Sequence, residues 1–207
     1  MLGFRRGVST QDVFLLLKDE VLNPPSGSPD RILLALDIQK AFDTISHSTI
    51  LDGLDDVGCG NRIHWYVQDF LSNRTAHIGI GTTRSLPYDL PGRGTPQGSI
   101  LSPLLFNIGL RKLALQLEEH RDLGCAIYAD DITLWATRGS YGDRQDILQS
   151  AIDTVETFTK HAGMKCAPAK SAYLHIRPKH TQANRTPTLQ LFLDGEPIKR
   201  TSKMRIL

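Results

Sequence analysis

Two adjacent aspartates stand in the middle of an apolar stretch of this chain. The segment CAIYADDITLWA, residues 125–136, is rich in strand-forming side chains, yet Asp130 and Asp131 place two like charges at its centre. We interpret the segment as two short strands around a tight turn. A turn at the surface explains the two charges, and so does a divalent metal ion that binds both carboxylates. The dipeptide alone does not distinguish between these explanations.

A third carboxylate ends the strand that the sequence predicts most clearly. The segment RILLALDI, residues 31–38, has five consecutive apolar residues before Asp37, a pattern typical of a strand buried on both faces. If this strand lies beside the strand–turn–strand unit, the three carboxylates converge at one edge of a sheet. Three anions in an apolar site repel one another and lose hydration, and a hard divalent cation offsets that cost. A capping role at the strand end is the alternative for Asp37.

The order of the predicted elements indicates the fold class. A strand, a helix, the strand–turn–strand unit, a second long helix and a further strand follow one another, which is the split βαβ pattern. We therefore predict an α+β fold, a ferredoxin-like antiparallel sheet with helices on one face. Ser102 is expected to cap the helix SPLLFNIGLRKLALQLEEH, and Gly195 to occupy a hairpin turn. In the helix NRIHWYVQDFLSN, we expect His64, Trp65 and Tyr66 to pack in the core.

Composition and charge narrow the class of partner. The 207 residues are 40% hydrophobic, enough for one large domain or two small lobes. Residues 160–207 carry 10 Lys and Arg against 2 Asp and Glu, whereas residues 1–159 carry 14 against 20, a distribution that suits a polyanion such as nucleic acid. No apolar run is long enough for a membrane span, and no signal peptide opens the chain. With three scattered cysteines and no zinc-ligand spacing, we expect an intracellular protein of nucleus or cytoplasm with no membrane partner.

Five sequence blocks resemble reverse transcriptases, in the order of that family. IYADDITLW looks like the YxDD motif, LALDIQKAFDTI resembles motif A, and GRGTPQGSILSPLLFNI resembles motif B. HAGMKCAPAKSAYL resembles motif D, and GFRRGVSTQD resembles a fingers block that precedes motif A. FDTISH and DFLSNRT are most similar to non-LTR retrotransposons of the LINE type. A reverse transcriptase of the group II intron type is the alternative within the family.

The resemblance implies a right-hand polymerase palm with partial fingers. Residues 1–30 are expected to form a partial fingers segment, and residues 31–178 the palm with motifs A to D and a fingers-like insertion at roughly 55–95. Residues 179–207 are expected to form a C-terminal palm hairpin that stops before the thumb. Related sequences normally have a further fingers block upstream and a thumb downstream, so we expect a chain truncated at both ends. We also expect it to be normally part of a larger polyprotein with an endonuclease.

The activity that the resemblance implies is RNA-directed DNA polymerisation. Deoxynucleotides would be added to the 3′-hydroxyl of a DNA primer on an RNA template, with two Mg²⁺ ions and Mn²⁺ as a possible substitute. Asp37 and Asp130 would ligate both metals, the Ile38 carbonyl would complete one site, and Asp131 would be a weaker or indirect ligand. Two such ions stabilise both the attacking and the leaving oxygen. A catalytically silent remnant that only binds nucleic acid is the second hypothesis.

Other matching positions would bind the nucleotide and the nucleic acid. Phe42 would exclude a 2′-hydroxyl by its bulk, core packing being its alternative, and Lys170 would neutralise or protonate the leaving pyrophosphate, although Ala167 stands where the family often has asparagine. The implied nucleotide-binding set is Gln39, Lys40, Ala41, Phe42, Gln97, Gly98 and Lys170, with the backbone amides of residues 39–41 as the triphosphate cradle. Arg5, Arg6 and Tyr128 would contact template or primer. Asp43 is expected to cap the following helix.

Overall fold

The computed structural model describes residues 7, 9–23, 30–136, 138–177 and 188–204. Arg5 and Arg6, expected to contact template or primer, lie outside the described residues. The proposed division into a fingers segment, a palm and a C-terminal hairpin stays a prediction.

Six helices and twelve strands, most of the latter only two residues long, make up the described part of the chain. The helices are α1 (Thr10–Leu17), extended by a π-helical turn (Lys18–Leu22), α2 (Ala41–Thr44), α3 (His47–Asp56), α4 (Asn61–Leu71), α5 (Ser102–Glu118) and α6 (Tyr141–His161). The strands of the main sheet are β1 (Arg31–Gln39), β6 (Leu123–Tyr128), β7 (Asp131–Ala136), β8 (Lys165–Cys166), β9 (Ala172–Ile176) and β12 (Lys199–Thr201). Short hairpins use β2 (Thr75–Ala76), β3 (Gly79–Ile80), β4 (Thr83–Arg84), β5 (Tyr88–Asp89), β10 (Phe192–Leu193) and β11 (Glu196–Pro197).

Strand β1 lies at the centre of the main sheet. The strand order is β12-β9-β1-β7-β6, and β8 pairs with the last residues of β1. Every pair in this sheet is antiparallel except β12 with β9, which is parallel. The α+β class and the antiparallel strand–turn–strand neighbour of β1 are as the sequence predicts.

The alternation of side chains along β1 divides its apolar run between two layers. Ile32, Leu34, Leu36 and Ile38 are buried in the larger core, which they share with the inner faces of α3, α5 and α6. Because side chains alternate along a strand, Leu33 points to the other face. The expected placement of helices on one face therefore holds for these three helices.

Helix α1 covers the opposite face of the sheet. Val13, Leu17 and Val21 pack there in a second core cluster with Leu33 and Trp135. The Trp135 Nε1 also donates a hydrogen bond to Glu20 Oε2 at 2.9 Å. Helices thus cover both faces of the sheet at β1, because a strand that is apolar on both faces must be covered on both.

Two local expectations about helices differ from the structure. Ser102 is the first residue of α5 rather than its cap, and its hydroxyl donates to the Pro96 carbonyl at 2.5 Å. Trp65 and Tyr66 are 66% and 61% exposed, because α4 turns Val67 and Leu71 to the core instead. The Asp194–Gly195 turn between β10 and β11 is as predicted, with both residues at positive φ.

No helix in the described ranges is long and apolar enough to cross a membrane. All three cysteines, Cys59, Cys125 and Cys166, are free thiols. Burial raises the pKa of the Cys125 thiol to about 12, so this side chain is a neutral, weakly polar part of the sheet at physiological pH.

Helices α3 and α5 approach closely at Gly53. A Cβ atom at this position would lie 2.6 Å from the backbone oxygen of Ile108. We expect Gly53→Ala to lower the free energy of unfolding by roughly 1–3 kcal/mol, since the backbone of α5 must shift. Gly142→Ala is the matched control: it lies in the first turn of α6, where a Cβ meets only the Ser140 hydroxyl at 3.9 Å. Urea unfolding followed at 222 nm measures both, and equal stabilities of the two variants would contradict the close approach.

His175 makes the fold sensitive to acid. Its side chain is 1% exposed and lies 3.6 Å from Asp30. Burial lowers its pKa, only partly opposed by Asp30, so the unfolded chain takes up a proton first as the pH falls. The contribution of neutral His175 to the free energy of unfolding should be present above about pH 6.5, the ordinary histidine pKa, and should be lost as the pH falls below it. We expect the melting temperature of the wild type to fall more steeply than that of His175→Phe between pH 7.5 and 5. Parallel curves for the two proteins would contradict this role.

Candidate active site

The register of the main sheet places two of the three aspartates side by side. Asp37 of β1 is directly opposite Asp131 of β7, and Asp131 is in turn opposite Tyr128 of β6. Directly opposed residues of antiparallel strands point to the same face, with Cβ atoms about 4.5–5.5 Å apart. The three side chains therefore lie on the face away from α5 and α6, where Tyr128 packs against the core cluster that α1 covers.

The third aspartate occupies the turn itself. Ala129 and Asp130 connect β6 to β7, and Ala129 adopts a left-handed conformation with φ 54°. A residue with a Cβ atom is strained there by roughly 1–2 kcal/mol, which the pairing of β6 with β7 offsets. The turn thereby holds Asp130 next to Asp131 and close to the end of β1.

The charges of the three carboxylates affect one another. The pKa of Asp131 is raised above its ordinary value, chiefly by loss of hydration and then by the negative charges of Asp130 and Asp37. A raised carboxyl pKa means that the site resists a full set of negative charges. The repulsion expected from the sequence is present at this edge of the sheet.

One carboxylate oxygen of Asp37 is enclosed. Its Oδ2 atom is buried and accepts no hydrogen bond from any residue that the structure describes. The Lys170 ammonium lies 3.4 Å from that oxygen, with the lysine side chain 71% exposed. One oxygen of Asp37 therefore has an ionic neighbour but no hydrogen-bond donor among the described residues.

A tight turn after β8 brings Lys170 to this position. The Ala167 amide donates to the Asp37 carbonyl at 2.8 Å, and the Asp37 amide donates to the Ser171 hydroxyl at 3.3 Å. That hydroxyl donates back to the Ala167 carbonyl at 2.9 Å. The attachment uses the backbone of Ala167, so the alanine at a position where the family often has asparagine does not disturb it.

The segment after Asp37 turns sharply from strand to helix. Ile38 is 1% exposed and pairs with Cys166, and the Gln39 side-chain amide donates to the Cys166 carbonyl at 3.0 Å. Lys40 is left-handed, with φ 46°, and Ala41 begins α2 as a buried residue. Backbone amides at such a turn form the kind of concavity that binds anions.

Phe42 belongs to the core and to the edge of the site. Its ring stacks on Phe106 with centroids 4.3 Å apart, and Phe106 is fully buried. Phe42 itself is only partly buried. Core packing, its alternative interpretation, is therefore real, and one part of the ring still faces outward.

The loop before α5 docks on α2 through its backbone. The Gly94 and Thr95 amides donate to the Ile45 and Phe42 carbonyls, both at 2.7 Å. A Cβ atom on Gly94 would lie 2.7 Å from the Asp43 carbonyl oxygen, and the φ of Gly94 is 80°, so this position requires glycine. The start of the loop GTPQGS is thus fixed against α2 and Ile45.

Asp43 does not cap a helix. Ser46 caps α3 instead, accepting from the Thr49 amide at 3.2 Å. The Asp43 carboxylate accepts a hydrogen bond from the Gln97 side-chain amide at 2.7 Å. The sequence expectation for Asp43 is wrong because its side chain points across to the loop before α5, and no local signal in the sequence indicates a partner so far along the chain.

The described residues contain no preformed group of three metal-ligating side chains. Of the site residues predicted from the sequence, Asp37 lies next to both Asp131 and Lys170, and Asp130 lies in the adjoining turn. Tyr128 lies on the same face. A groove of about 800 Å³ is elsewhere, on the helix side of the sheet between α3, α5 and α6, and none of these residues lines it.

Comparison with known proteins gives the same family. The reverse transcriptase (RNA-dependent DNA polymerase) family matches residues 1–205. A polyprotein of the type-1 retrotransposable element R2 from Popillia japonica is 31% identical over 70% of this chain and 21% of its own length. A probable RNA-directed DNA polymerase from transposon BS of Drosophila melanogaster is 25% identical over 99% of this chain and 22% of its own length. The chain spans about a fifth of the length of these two relatives.

Solved structures share the fold at low sequence identity. Apo telomerase from Candida tropicalis, truncated from its C-terminal domain, superposes with a TM-score of 0.62 over 88% of this chain and 38% of the telomerase chain, at 15% identity. The right-hand polymerase fold is therefore confirmed. By the family match along nearly its whole length, and with retrotransposon polyproteins among its relatives, this chain belongs to the reverse transcriptase family.

Proposed function

We propose that this chain is the palm-centred part of an RNA-directed DNA polymerase of a retroelement. The observation that carries the proposal is the register of β1 with β7, which pairs Asp37 with Asp131 next to the Asp130–Asp131 turn. One buried carboxylate oxygen of Asp37 accepts no hydrogen bond from the described residues. The substrates would be deoxynucleotides, a DNA primer and an RNA template. Retrotransposon relatives match 70% and 99% of this chain, whereas a putative intron 1 protein of Saccharomyces cerevisiae, at 33% identity, matches 58%. The larger coverage favours a retroelement enzyme over an intron-type one.

The donor set suits divalent metal ions, Mg²⁺ first and Mn²⁺ as a substitute. Asp37 and Asp130 would hold two ions, with the Ile38 carbonyl as a further oxygen ligand and Asp131 as a weaker or indirect one. Carboxylate and carbonyl oxygens are the ligands that Mg²⁺ prefers. When bound, such ions activate the primer hydroxyl and stabilise the leaving phosphate oxygens. The raised pKa of Asp131 supports the assignment, because a bound cation would offset both of its causes, the loss of hydration first and the negative charges of Asp130 and Asp37 second.

Lys170 would act on the phosphates. In the described structure its ammonium neighbours Asp37, where it compensates part of the negative charge. With a cation held by Asp37, the Lys170 ammonium would be repelled, and its long exposed side chain would then be available to the leaving pyrophosphate. The backbone amides of Gln39, Lys40 and Ala41 would contact the triphosphate from the left-handed turn at Lys40.

The remaining residues would shape the nucleotide and nucleic-acid contacts. Phe42 would press against the sugar, held in place by its stack on Phe106. Gln97 would contact the nucleotide, and Gly98, left-handed at φ 91°, would let the backbone approach it. Tyr128 would contact the primer or template strand. Arg5 and Arg6 stay candidates for phosphate contacts.

We also propose that the working protein is longer. Residues 1–30 would be a fingers segment, 31–178 the palm and 179–207 a palm hairpin, normally within a polyprotein that carries an endonuclease. Free cysteines suit a nuclear or cytoplasmic location. The silent-remnant hypothesis has no specific support here, because the three carboxylates, Phe42 and Gln97 are all in place.

Asp130→Asn should abolish nucleotide incorporation. Loss of a metal ligand removes roughly several kcal/mol of transition-state stabilisation, more than about 100-fold in rate. The measurement is incorporation of labelled dTTP on an RNA template with a DNA primer in Mg²⁺. Asp146→Asn, an exposed site on α6, is the matched control and should keep wild-type activity. Equal activity of Asp130→Asn and wild type would exclude the metal assignment, and a folded wild type without any incorporation would favour the remnant.

Phe42→Val should admit ribonucleotides. Without the ring the sugar pocket gains room for a 2′-hydroxyl, and pocket contacts of this size discriminate roughly 10–200-fold. The ratio of kcat/KM for dUTP over UTP, which differ only in the 2′-hydroxyl, measures the change. Phe42→Tyr keeps the ring and its stack on Phe106, so it should retain selectivity. If the valine variant also retains it, Phe42 serves the core alone.

A further inference from the structure

We propose that Asp43 is a positioning residue that holds Gln97 with its side-chain carbonyl oxygen directed to the 3′-hydroxyl of the incoming deoxynucleotide. This proposal rests on the polymerase function above. It assigns to Asp43 an effect on nucleotide selection that acts only through Gln97.

The hydrogen bond fixes which end of the Gln97 amide faces the site. The Asp43 carboxylate accepts from Gln97 Nε2 at 2.7 Å. An ionised carboxylate only accepts hydrogen bonds, so the amide must turn its nitrogen towards Asp43. The planar amide then points its oxygen, Oε1, away from Asp43. Without such a partner, a glutamine amide is free to rotate its two ends.

Both residues stand on backbone that is already fixed. Asp43 lies in α2, whose neighbouring carbonyls of Phe42 and Ile45 accept from the loop that carries Gln97. On the other side of Gln97, the Pro96 carbonyl accepts from the Ser102 hydroxyl at 2.5 Å. The contact between Asp43 and Gln97 therefore orients a side chain on a framework that stays in place without it.

The chemistry of the substrate indicates what Oε1 meets. An oxygen acceptor binds a donor, and the triphosphate offers only acceptor oxygens. The donors on the base edges are used in pairing with the template. The 3′-hydroxyl is then the one donor common to all four deoxynucleotides. Phe42, adjacent to Asp43 and proposed to face the sugar, places this part of the nucleotide next to Gln97.

Asp43 itself is not expected to touch the nucleotide. Its negative charge would repel the triphosphate, whereas a neutral amide carries no such repulsion. Its charge does strengthen the hydrogen bond to Gln97, because charge-assisted bonds are about twice as strong as neutral ones. An asparagine at position 43 offers both a donor and an acceptor, so it would permit both orientations of the Gln97 amide.

The test compares dTTP with 2′,3′-dideoxythymidine triphosphate, which lacks the hydroxyl. In wild type we expect kcat/KM to favour dTTP. Asp43→Ala and Gln97→Ala should each reduce that preference by about tenfold, the factor that corresponds to 1.4 kcal/mol. The double variant should reduce it no further, and Asp43→Asn should be intermediate. Asp146→Ala is the control and should keep the wild-type preference. An unchanged preference in Asp43→Ala, or additive losses in the double variant, would overturn the proposal.

A second measurement does not depend on turnover. The Gln97 side-chain amide signal in a ¹⁵N–¹H spectrum, assigned by its loss in Gln97→Ala, should move to the position of a solvent-exposed amide in Asp43→Ala. In wild type, dTTP should shift this signal more than the dideoxy analogue, and Asp43→Ala should remove the difference. If the Gln97 amide signal keeps its wild-type position in Asp43→Ala, the proposal is overturned even if the enzyme is active. A protein with the expected amide shifts but no incorporation would instead refute the polymerase function alone.

Discussion

The pairing of β1 on both of its edges is the constraint on which the rest of the structure depends. Its register with β7 puts Asp37 beside Asp131, and the flanking Leu36 and Ile38 point into the core at 2% and 1% exposure. A slip of one residue would turn Asp37 into that core and the flanking side chains into the site. The hydrophobic burial of β1 and the placement of the carboxylate are thus consequences of the same pairing.

The site combines like charges with rigid support, and the support is largely backbone. The Ala167–Ser171 turn and the loop before α5 are tied to β1 and α2 by main-chain hydrogen bonds. The turn with Ala129 at positive φ is held by the pairing of β7 with β6 and β1. Loops held in this way keep charged groups that repel one another in fixed positions. The burial of the two apolar core clusters offsets the stability that this repulsion costs. Lys170 beside Asp37 reduces the same repulsion while no metal is bound.

The loop GTPQGS shows how the family motifs depend on each other. Gly94 is required because the backbone at Asp43 leaves no room for a side chain, and the Asp43 carboxylate reaches the Gln97 amide from the same helix. Motif B is therefore built on motif A, and a change in one alters the geometry of the other. Substitutions in these two segments should be interpreted as pairs rather than singly.

The sequence by itself determined the local features: the buried run of β1, the turn at Asp130–Asp131, the hairpin turn at Gly195 and the family motifs in their order. These depend on side-chain periodicity and short-range turn chemistry, which neighbouring residues set. Only the tertiary structure decided that α1 covers the second face, that Trp65 and Tyr66 are exposed, and that Ser102 binds Pro96 rather than capping α5. It alone also joined Asp43 to Gln97 and Asp37 to Ser171, across 54 and 134 residues. The physical reason is that such contacts depend on how segments far apart in the chain pack together. The local pattern of a single sequence contains no signal for that packing.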